Sequence, residues 1–387
     1  MLASLTAMAE PLKTQFGPDV PRHIAAMIEA VYPPFPSSAF LSDVLDGFER
    51  LELTPRARHI AEGLRRHLPQ DYAHAIDILM GSLGPVLELT ERLGMAPFLY
   101  LPHVFFVADY GLDHFDASMR AQYELTRRFT AEFSIRAFLV RYPEQTLARL
   151  ATWAGDPDVH VRRLVSEGTR PRLPWAPRLR AFQQDPAPVL AMLEVLKDDP
   201  ELYVRRSVAN NLNDIGKDHP AVLVATCQRW MTDATPERRW VIRHALRSAV
   251  KRGEPGALAV LGFGDSAKVA IRRATLTPKR VRVGGAVSLE FDVANMKANR
   301  QYVLIDFKIH FRKSNGTTSP KVFKLKAVDL APRARIRLGK TVSFREMTTR
   351  KHYPGTHRVE ILVNGRAYPA GAFTVIRSAR SSESKRP

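Results

Sequence analysis

The chain has 387 residues, 45% of them hydrophobic and 25% charged, with a formal net charge of +19. That is room for two domains and at least one substantial core. No apolar run approaches the roughly 18 residues that span a bilayer. The opening MLASLTAMAEPLKTQFGPDVPRH has no basic stretch leading into an apolar one, so no secretory signal is expected.

Composition narrows the chemistry further. The single cysteine, Cys227, rules out a disulfide framework and fits a reducing cytoplasm. It sits in HPAVLVATCQRWM and reads as a small core residue. The twelve histidines include no HExxH and have no cysteine partners, so neither a metal nor a cofactor is expected. The charge is unevenly spread. From Thr277 to Pro387 there are 24 Lys and Arg against 7 Asp and Glu, a net of +17, which leaves +2 for the rest. Such asymmetry suggests a polyanion, of which nucleic acid is the commonest in a cytoplasm. A basic surface that serves only solubility is the alternative.

Taken in order, an amphipathic helix is expected near Val20–Tyr32, followed by the proline-rich turn YPPFP. Ser38–Arg50 and Thr54–Leu68 read as further helices, with Ser and Thr as caps. GSLGPVLE, within Tyr72–Leu93, lacks the lysine of a phosphate loop. Asp109, Asp113, His114 and Asp116 cluster in ADYGLDHFDASM, but their spacing fits a helix start better than a metal site. From Ala117 to about Arg252 helix follows helix, with Pro143, Pro157, Pro186, Pro200, Pro220 and Pro236 at the expected starts.

Within that run two stretches match 43 residues apart, Asp156–Gly168 (DPDVHVRRLVSEG) and Asp199–Asn211 (DPELYVRRSVANN), identical at six of thirteen positions. The period is that of HEAT and armadillo repeats, in which stacked helix pairs share one core. Each copy opens on Asp-Pro, a cap followed by a helix-starting proline. Val161, Leu164, Val165 and Gly168 recur at helical spacing as a buried stripe, and Val204, Ser207, Val208 and Asn211 take the same places in the second copy. Arg163 with Glu167, and Arg206 with Asn210 and Asp214, fall on a second stripe. Solvated i, i+4 pairs would look the same. Repetition in register favours a functional ridge that holds a phosphate backbone beside carboxylates.

One segment interrupts the helices. GTRPRLPWAPRLRAF, Gly168–Phe182, sets Arg170, Arg172, Arg178 and Arg180 around Trp175. Arginines interleaved with an aromatic suit phosphate pairing and stacking. A Trp packed under a proline-stiffened loop is the alternative, but a Trp in a basic loop close to the acids favours function.

After Gly253 the period changes to two. GEPGALAVLGFGDSAKV reads as a last helix and linker. VSLEFDV, YVLIDFKIHF, KVFKLKAVD, RIRLGKTVSF, HRVEILVNG and GAFTVI read as strands, with hairpin turns at Asn315-Gly316 and Asn364-Gly365. Six or seven antiparallel strands indicate an immunoglobulin-like sandwich. Its basic loops offer Lys297 and Arg300 in NMKANR, and Arg345, Arg350, Lys351 and His352 in FREMTTRKHYPG. The fold class expected is therefore an all-α HEAT-like solenoid, residues 1–276, followed by an all-β immunoglobulin-like sandwich, 277–377. Residues 378–387 are expected to be a disordered tail.

Four segments, MAEPLKTQFGPDV, FTAEFSIRAFL, VRRLVSEGTRPRLPWAP and VRRSVANNLNDIGKDHP, together resemble the AlkC branch of the DNA alkylation repair glycosylases, across nearly the whole chain. The resemblance implies removal of cationic alkylated bases, especially 3-methyladenine and 3-methylcytosine, from duplex DNA by a soluble monomer. It implies active-site acids at Glu132, Glu167 and Asp214 and an active-site aromatic at Trp175. Glu132 rests on the resemblance alone, whereas Glu167 and Asp214 also fall on the repeat ridge.

The chemistry suits acids. A base alkylated on a ring nitrogen already carries positive charge and leaves without a general acid. The sugar then develops oxocarbenium character that carboxylates stabilise. Arg163, Arg170, Arg172 and Arg206 are the expected phosphate contacts of the helical part. Relatives of this type are understood to work without a base pocket, and no Gly- and aromatic-rich pocket motif is evident. A DNA-binding scaffold without catalysis is the competing reading, and a protein-interaction adaptor the third.

Overall fold

The computed structural model describes residues 12–88, 96–264, 267–345 and 351–377. The chain divides into two compact units, one formed by residues 1–223 and 230–245, the other by 224–229 and 246–387.

The first unit is helical. It begins with α1 (Asp19–Val31), α2 (Ser37–Leu45), α3 (Leu53–His67) and α4 (Tyr72–Gly81). It continues through α5 (Leu101–Tyr110), α6 (Phe115–Thr126), α7 (Ile135–Arg141), α8 (Pro143–Trp153), α9 (Val159–Gly168) and α10 (Arg180–Gln184). Next come α11 (Ala187–Leu196), α12 (Leu202–Asp218), α13 (Pro220–Met231), which runs across the division, and α14 (Pro236–Ala245). The expected early helices are present with small changes. Gly47 at φ +68° ends the second one early, and Phe48–Arg50 is a separate 3-10 turn. The Ser and Thr caps expected there are not used: α2 and α3 follow Pro36 and Glu52 without a side-chain cap. His114 and Asp116 do mark the start of α6, and Asp109 pairs with Arg58.

The repeat is visible as helix pairs α8/α9 and α11/α12, with α9 against α12 and α12 against α14. Both expected stripes are buried: Val161, Leu164 and Val165 in one helix, Val204, Ser207, Val208 and Asn211 in the other. Gly168 completes the first because α7 comes close, and a Cβ there would lie 2.6 Å from Ile135 Cγ2.

The Asp-Pro pairs do something other than cap. Asp158, not Asp156, caps α9 by accepting from His160 N. Asp156 and Asp199 each accept from the backbone two residues on, Asp158 N at 2.8 Å and Glu201 N at 2.9 Å. The first arginine of each VRR then reads that turn. Arg162 donates to the carbonyls of Asp156 and Pro157, and Arg205 to those of Asp199 and Pro200. Arg162 also pairs with Asp199 at 2.6 Å, which links the two repeats. The shared sequence is thus largely a stitch between helix pairs, made of buried polar groups that must be satisfied.

The second unit holds α15 (Arg247–Arg252), α16 (Pro255–Val260) and an eight-stranded sandwich among the described residues. Its strands are β1 (Val269–Thr277), β2 (Arg280–Arg282), β3 (Ala286–Asn295), β4 (Gln301–Arg312), β5 (Thr318–Leu330), β6 (Arg335–Ser343), β7 (Gly355–Val363) and β8 (Arg366–Ile376). One sheet runs β1-β3-β6 and the other β2-β8-β7-β4-β5. All pairs are antiparallel except β2 with β8. Alternation places Val287, Leu289, Phe291 and Val293 of β3 against Ile305, Phe307, Ile361 and Phe373. Asn364 (φ +46°) and Gly365 (φ +80°) turn β7 into β8 as their order anticipates. The sandwich starts earlier than residue 277, because β1 already belongs to a sheet. Cys227 is fully buried and its thiol is pushed up to about 12 by burial.

Candidate active site

The acids named from the sequence are held by cations in one continuous relay. Glu132 lies in the turn before α7, where Thr130 Oγ1 accepts from Glu132 N and donates to Glu132 Oε2 at 3.1 Å. Arg163, on α9, reaches Glu132 Oε2 and also lies 3.6 Å from Glu167, one turn along its own helix. Arg170, just past that helix, pairs with Glu167 at 2.6 Å and with Asp214 of α12 at 2.8 Å. Lys217 closes the line on Asp214 at 2.7 Å. Ser207 of the next repeat donates to Glu167 Oε2 at 2.6 Å. Arg163, Glu167 and Asp214 of the inferred ridge thus meet in a partly buried ladder of alternating charge, whereas Arg206 of that ridge stays outside it. Such groups remain ionised inside a protein only when each meets a partner.

Burial alone would raise the Glu167 carboxyl, but Arg163, Arg170 and the Ser207 hydroxyl outweigh it and hold it below the ordinary carboxylate range. Burial and the neighbouring Arg163 push His160 down, against a smaller opposing effect of Asp158, so the ring favours its neutral form. The Arg163 guanidinium also lies over the Tyr203 ring, 5.4 Å from its centroid.

A cavity of about 380 Å³ opens beside this ladder. Glu132, Arg163 and Glu167 form its charged side, while Phe98, Phe129, Phe133, Tyr203 and Trp175 line the rest. Trp175 is 67% exposed and has φ +63°, the left-handed region that a non-glycine residue rarely takes. The reading of a Trp packed beneath its loop is thereby set aside. Asp214 is not among the residues lining the cavity. It is almost fully buried and meets Glu167 only through Arg170.

Comparison with known proteins places this arrangement. Residues 270–377 match the family described as the YhaZ C-terminal Ig-like domain. Over 365 residues the chain is 35% identical to the uncharacterized protein YhaZ of Bacillus subtilis (strain 168), covering 94% of this chain and 99% of that one. A solved structure of the Pseudomonas fluorescens alkylpurine DNA glycosylase AlkC, bound to DNA containing an abasic site analog, superposes with a TM-score of 0.88 at 39% identity. The match covers 95% of this chain and 100% of that one. The chain belongs to the AlkC family.

Within this AlkC-type fold the remaining site candidates separate. Arg163 and Arg170 were expected at phosphates but are held by the acids, and Arg172 is bound to Asp218 at 2.9 Å. Each of these guanidiniums is already paired with a carboxylate, which weakens its claim on a phosphate. Of the helical candidates Arg206 alone is exposed, so its stripe-mate Asp214 lies in quite different surroundings. On the sandwich, Arg345 and Lys351 are exposed, Lys297 is half-buried, and Arg300 pairs with Asp329 at 3.3 Å. His352 is corrected: it is buried and packs on Phe344, 5.0 Å between ring centroids, so it has no face for a phosphate. Arg350 lies outside the described residues.

Sequence reasoning missed two groups. Phe98, the Phe129/Phe133 pair and Tyr203 come from three separate segments, and only the fold collects them. The outer face of the sandwich was expected to carry basic residues together with the loops, but those of strands β5 and β6 were not singled out. Lys321, Lys324 and Lys326 lie exposed on β5, as do Arg335, Arg337 and Lys340 on β6. Both strands are sheet edges, where charge also blocks pairing with another chain.

The ladder makes a stability prediction. A carboxyl whose folded value is depressed stabilises fully above its unfolded value, and that contribution is lost as pH falls through the folded value. Glu167→Gln is expected to lower unfolding free energy near neutral pH by about 3 kcal/mol, as when one partner of a buried pair is removed. The gap to wild type should close only below the ordinary carboxylate range. Denaturant unfolding of both proteins across pH checks this, and a gap that closes at roughly pH 6 would point to another group.

Proposed function

We propose that this chain is a DNA glycosylase that hydrolyses the N-glycosidic bond of cationic alkylated bases, such as 3-methyladenine and 3-methylcytosine, in duplex DNA. The observation that carries the reading is the cavity where Glu132 and Glu167 stand beside an exposed Trp175. It occurs in a chain 39% identical to an alkylpurine DNA glycosylase solved on abasic-site DNA.

In this mechanism the C1′–N bond breaks and its electron pair leaves with the base, which becomes neutral. Positive charge appears on the sugar, and the fixed carboxylates of Glu132 and Glu167 stabilise it without having to reorganise. Water adds its oxygen to C1′ and gives its proton to a carboxylate or to solvent, leaving an abasic site. Trp175 presents its π face to the cationic base or sugar. Asp214 acts through Arg170, keeping Glu167 in place rather than touching the substrate.

Release of 3-methyladenine and 3-methylcytosine from alkylated duplexes tests the activity, and failure to release either overturns it. Glu132→Gln is expected to slow single-turnover excision by about 10²-fold with DNA affinity retained. Trp175→Ala should slow it about tenfold, the worth of a cation–π contact of ~1–2 kcal/mol. Because the ring is exposed, its removal should leave the melting temperature nearly unchanged.

The base is proposed to stay in the helix during cleavage. A 2-aminopurine placed beside the lesion should then keep its stacked, quenched emission on binding. A large rise would mean that the base enters the cavity.

The sandwich is proposed as the source of long-range attraction, since residues 277–387 carry a net +17. Arg345→Ala with Lys351→Ala should flatten the slope of log affinity against log salt by up to about 1.8, near 0.9 for each phosphate that is no longer neutralised. An unchanged slope would leave that loop out of the interface.

A further inference from the structure

Arg136 belongs to the AEFSIR segment that also carries Glu132, yet the chemistry above assigns it nothing. It is 4% exposed. Its Nη1 donates to the carbonyls of Gly168 at 3.0 Å and Arg170 at 2.7 Å. Its Nε donates to the carbonyl of Pro177 at 3.1 Å, and Nη2 donates to the same oxygen. These carbonyls stand at the two ends of the segment that displays Trp175. Leu179 N donates to Pro171 O at 3.2 Å and draws the same ends together.

We propose that Arg136 is a positioning residue for glycosidic bond cleavage, clamping the Trp175 loop at a fixed place relative to Glu132. The inference rests on the glycosylase reading above. An indole that is 67% exposed is not fixed by packing, so its place depends on its backbone. That backbone is neither helix nor strand, and Trp175 itself sits at φ +63°. Loops of this kind wander unless their carbonyls are bound. A guanidinium is suited to the task because its planar fork offers several fixed donors at once, which an ammonium does not. Burial pushes Arg136 down to about 10, with Arg170 adding to the effect, and its hydrogen bonds all run to backbone oxygens rather than to an acid. Glu132 precedes it by four residues, in the turn that leads into α7. One short segment therefore carries an acid on one side of the cavity and the clamp on the loop that supplies the other side.

A double-mutant cycle tests the assignment on full-length protein with 3-methyladenine-containing duplex. Arg136→Lys keeps the charge and loses the fork. It is expected to slow single-turnover excision per folded molecule by up to about tenfold, the cost of losing the indole itself, as small misplacements of reacting groups do, with affinity for abasic-site DNA unchanged. In a Trp175→Ala background the same change should have little further effect, because its action passes through the indole. Full additivity, or a rate that falls only with the folded fraction, overturns the proposal. Inserting Gly-Gly between Trp175 and Ala176 is the second variant. It leaves Arg136 and its carbonyls in place but uncouples the indole from the clamp, and it should match Trp175→Ala. If the insertion is silent, the clamp does not matter. Wild type that releases no base would instead refute the glycosylase reading, which separates the two failures.

Discussion

The helical unit depends on a line of charges that could not exist singly. Glu132, Arg163, Glu167, Arg170, Asp214 and Lys217 alternate in sign, each within ion-pair distance of the next. Glu167, Arg170 and Asp214 are at most 8% exposed, so removing Arg170 leaves two buried acids each short of a partner in low dielectric. The line crosses from the turn before α7 through α9 to α12, tying three elements by a constraint sharper than apolar packing. A hydrophobic contact tolerates sliding, whereas a guanidinium between two carboxylates fixes direction as well as distance. Rigid acids beside a cavity are a consequence of this stability device.

The repeat explains how such a line arises. Each copy supplies two consecutive arginines with different tasks. The first, Arg162 or Arg205, binds the Asp-Pro carbonyls at the start of its own helix, and Arg162 also reaches Asp199 of the next copy. The second arginine, one helical step round, meets a different environment in each copy. Arg163 turns into the ladder, whereas Arg206 stays exposed. Repetition thus fixes the spacing of the helices, and the site arises where the two copies stop being alike, at Glu167 against Asn210 and Gly168 against Asn211.

Much of the fold was legible because hydrophobic period reports it directly. Helical stripes and the two Asn-Gly turns appear where their residues imply. Strand β1 was missed because Arg272 and Arg273 break its alternation at a bulge, and β2 is only three residues long. Of the site, Glu167 and Asp214 could be read from the repeat and Trp175 from its basic, proline-rich loop. Glu132 could not, because it sits in a turn outside the repeat. The roles of the arginines were not legible either. A basic residue beside DNA and one beside a buried acid look the same in sequence, and only burial separates Arg163 and Arg170 from Arg206. The failed assignment of His352 has the same origin: its neighbours are cations, but its ring packs on Phe344 and Phe311.

Charge balance links the site to its proposed substrate. A cluster of three carboxylates would stabilise a cationic sugar, yet it would also repel the phosphates on either side of that sugar. Here Arg163, Arg170 and Lys217 match the three acids one for one, so the ladder carries no net charge to oppose a polyanion. Stabilisation of developing positive charge then comes from which atoms stand nearest the sugar, not from the total. The same reasoning accounts for a helical part of only +2 beside a C-terminal part of +17. Attraction over distance needs net charge on an exposed surface and is weakened by salt. Catalysis at contact needs oriented charge in a water-poor place and is largely shielded from salt. On the proposed function, dividing the two tasks between a ladder without net charge and a basic sandwich would let each be strong without undoing the other.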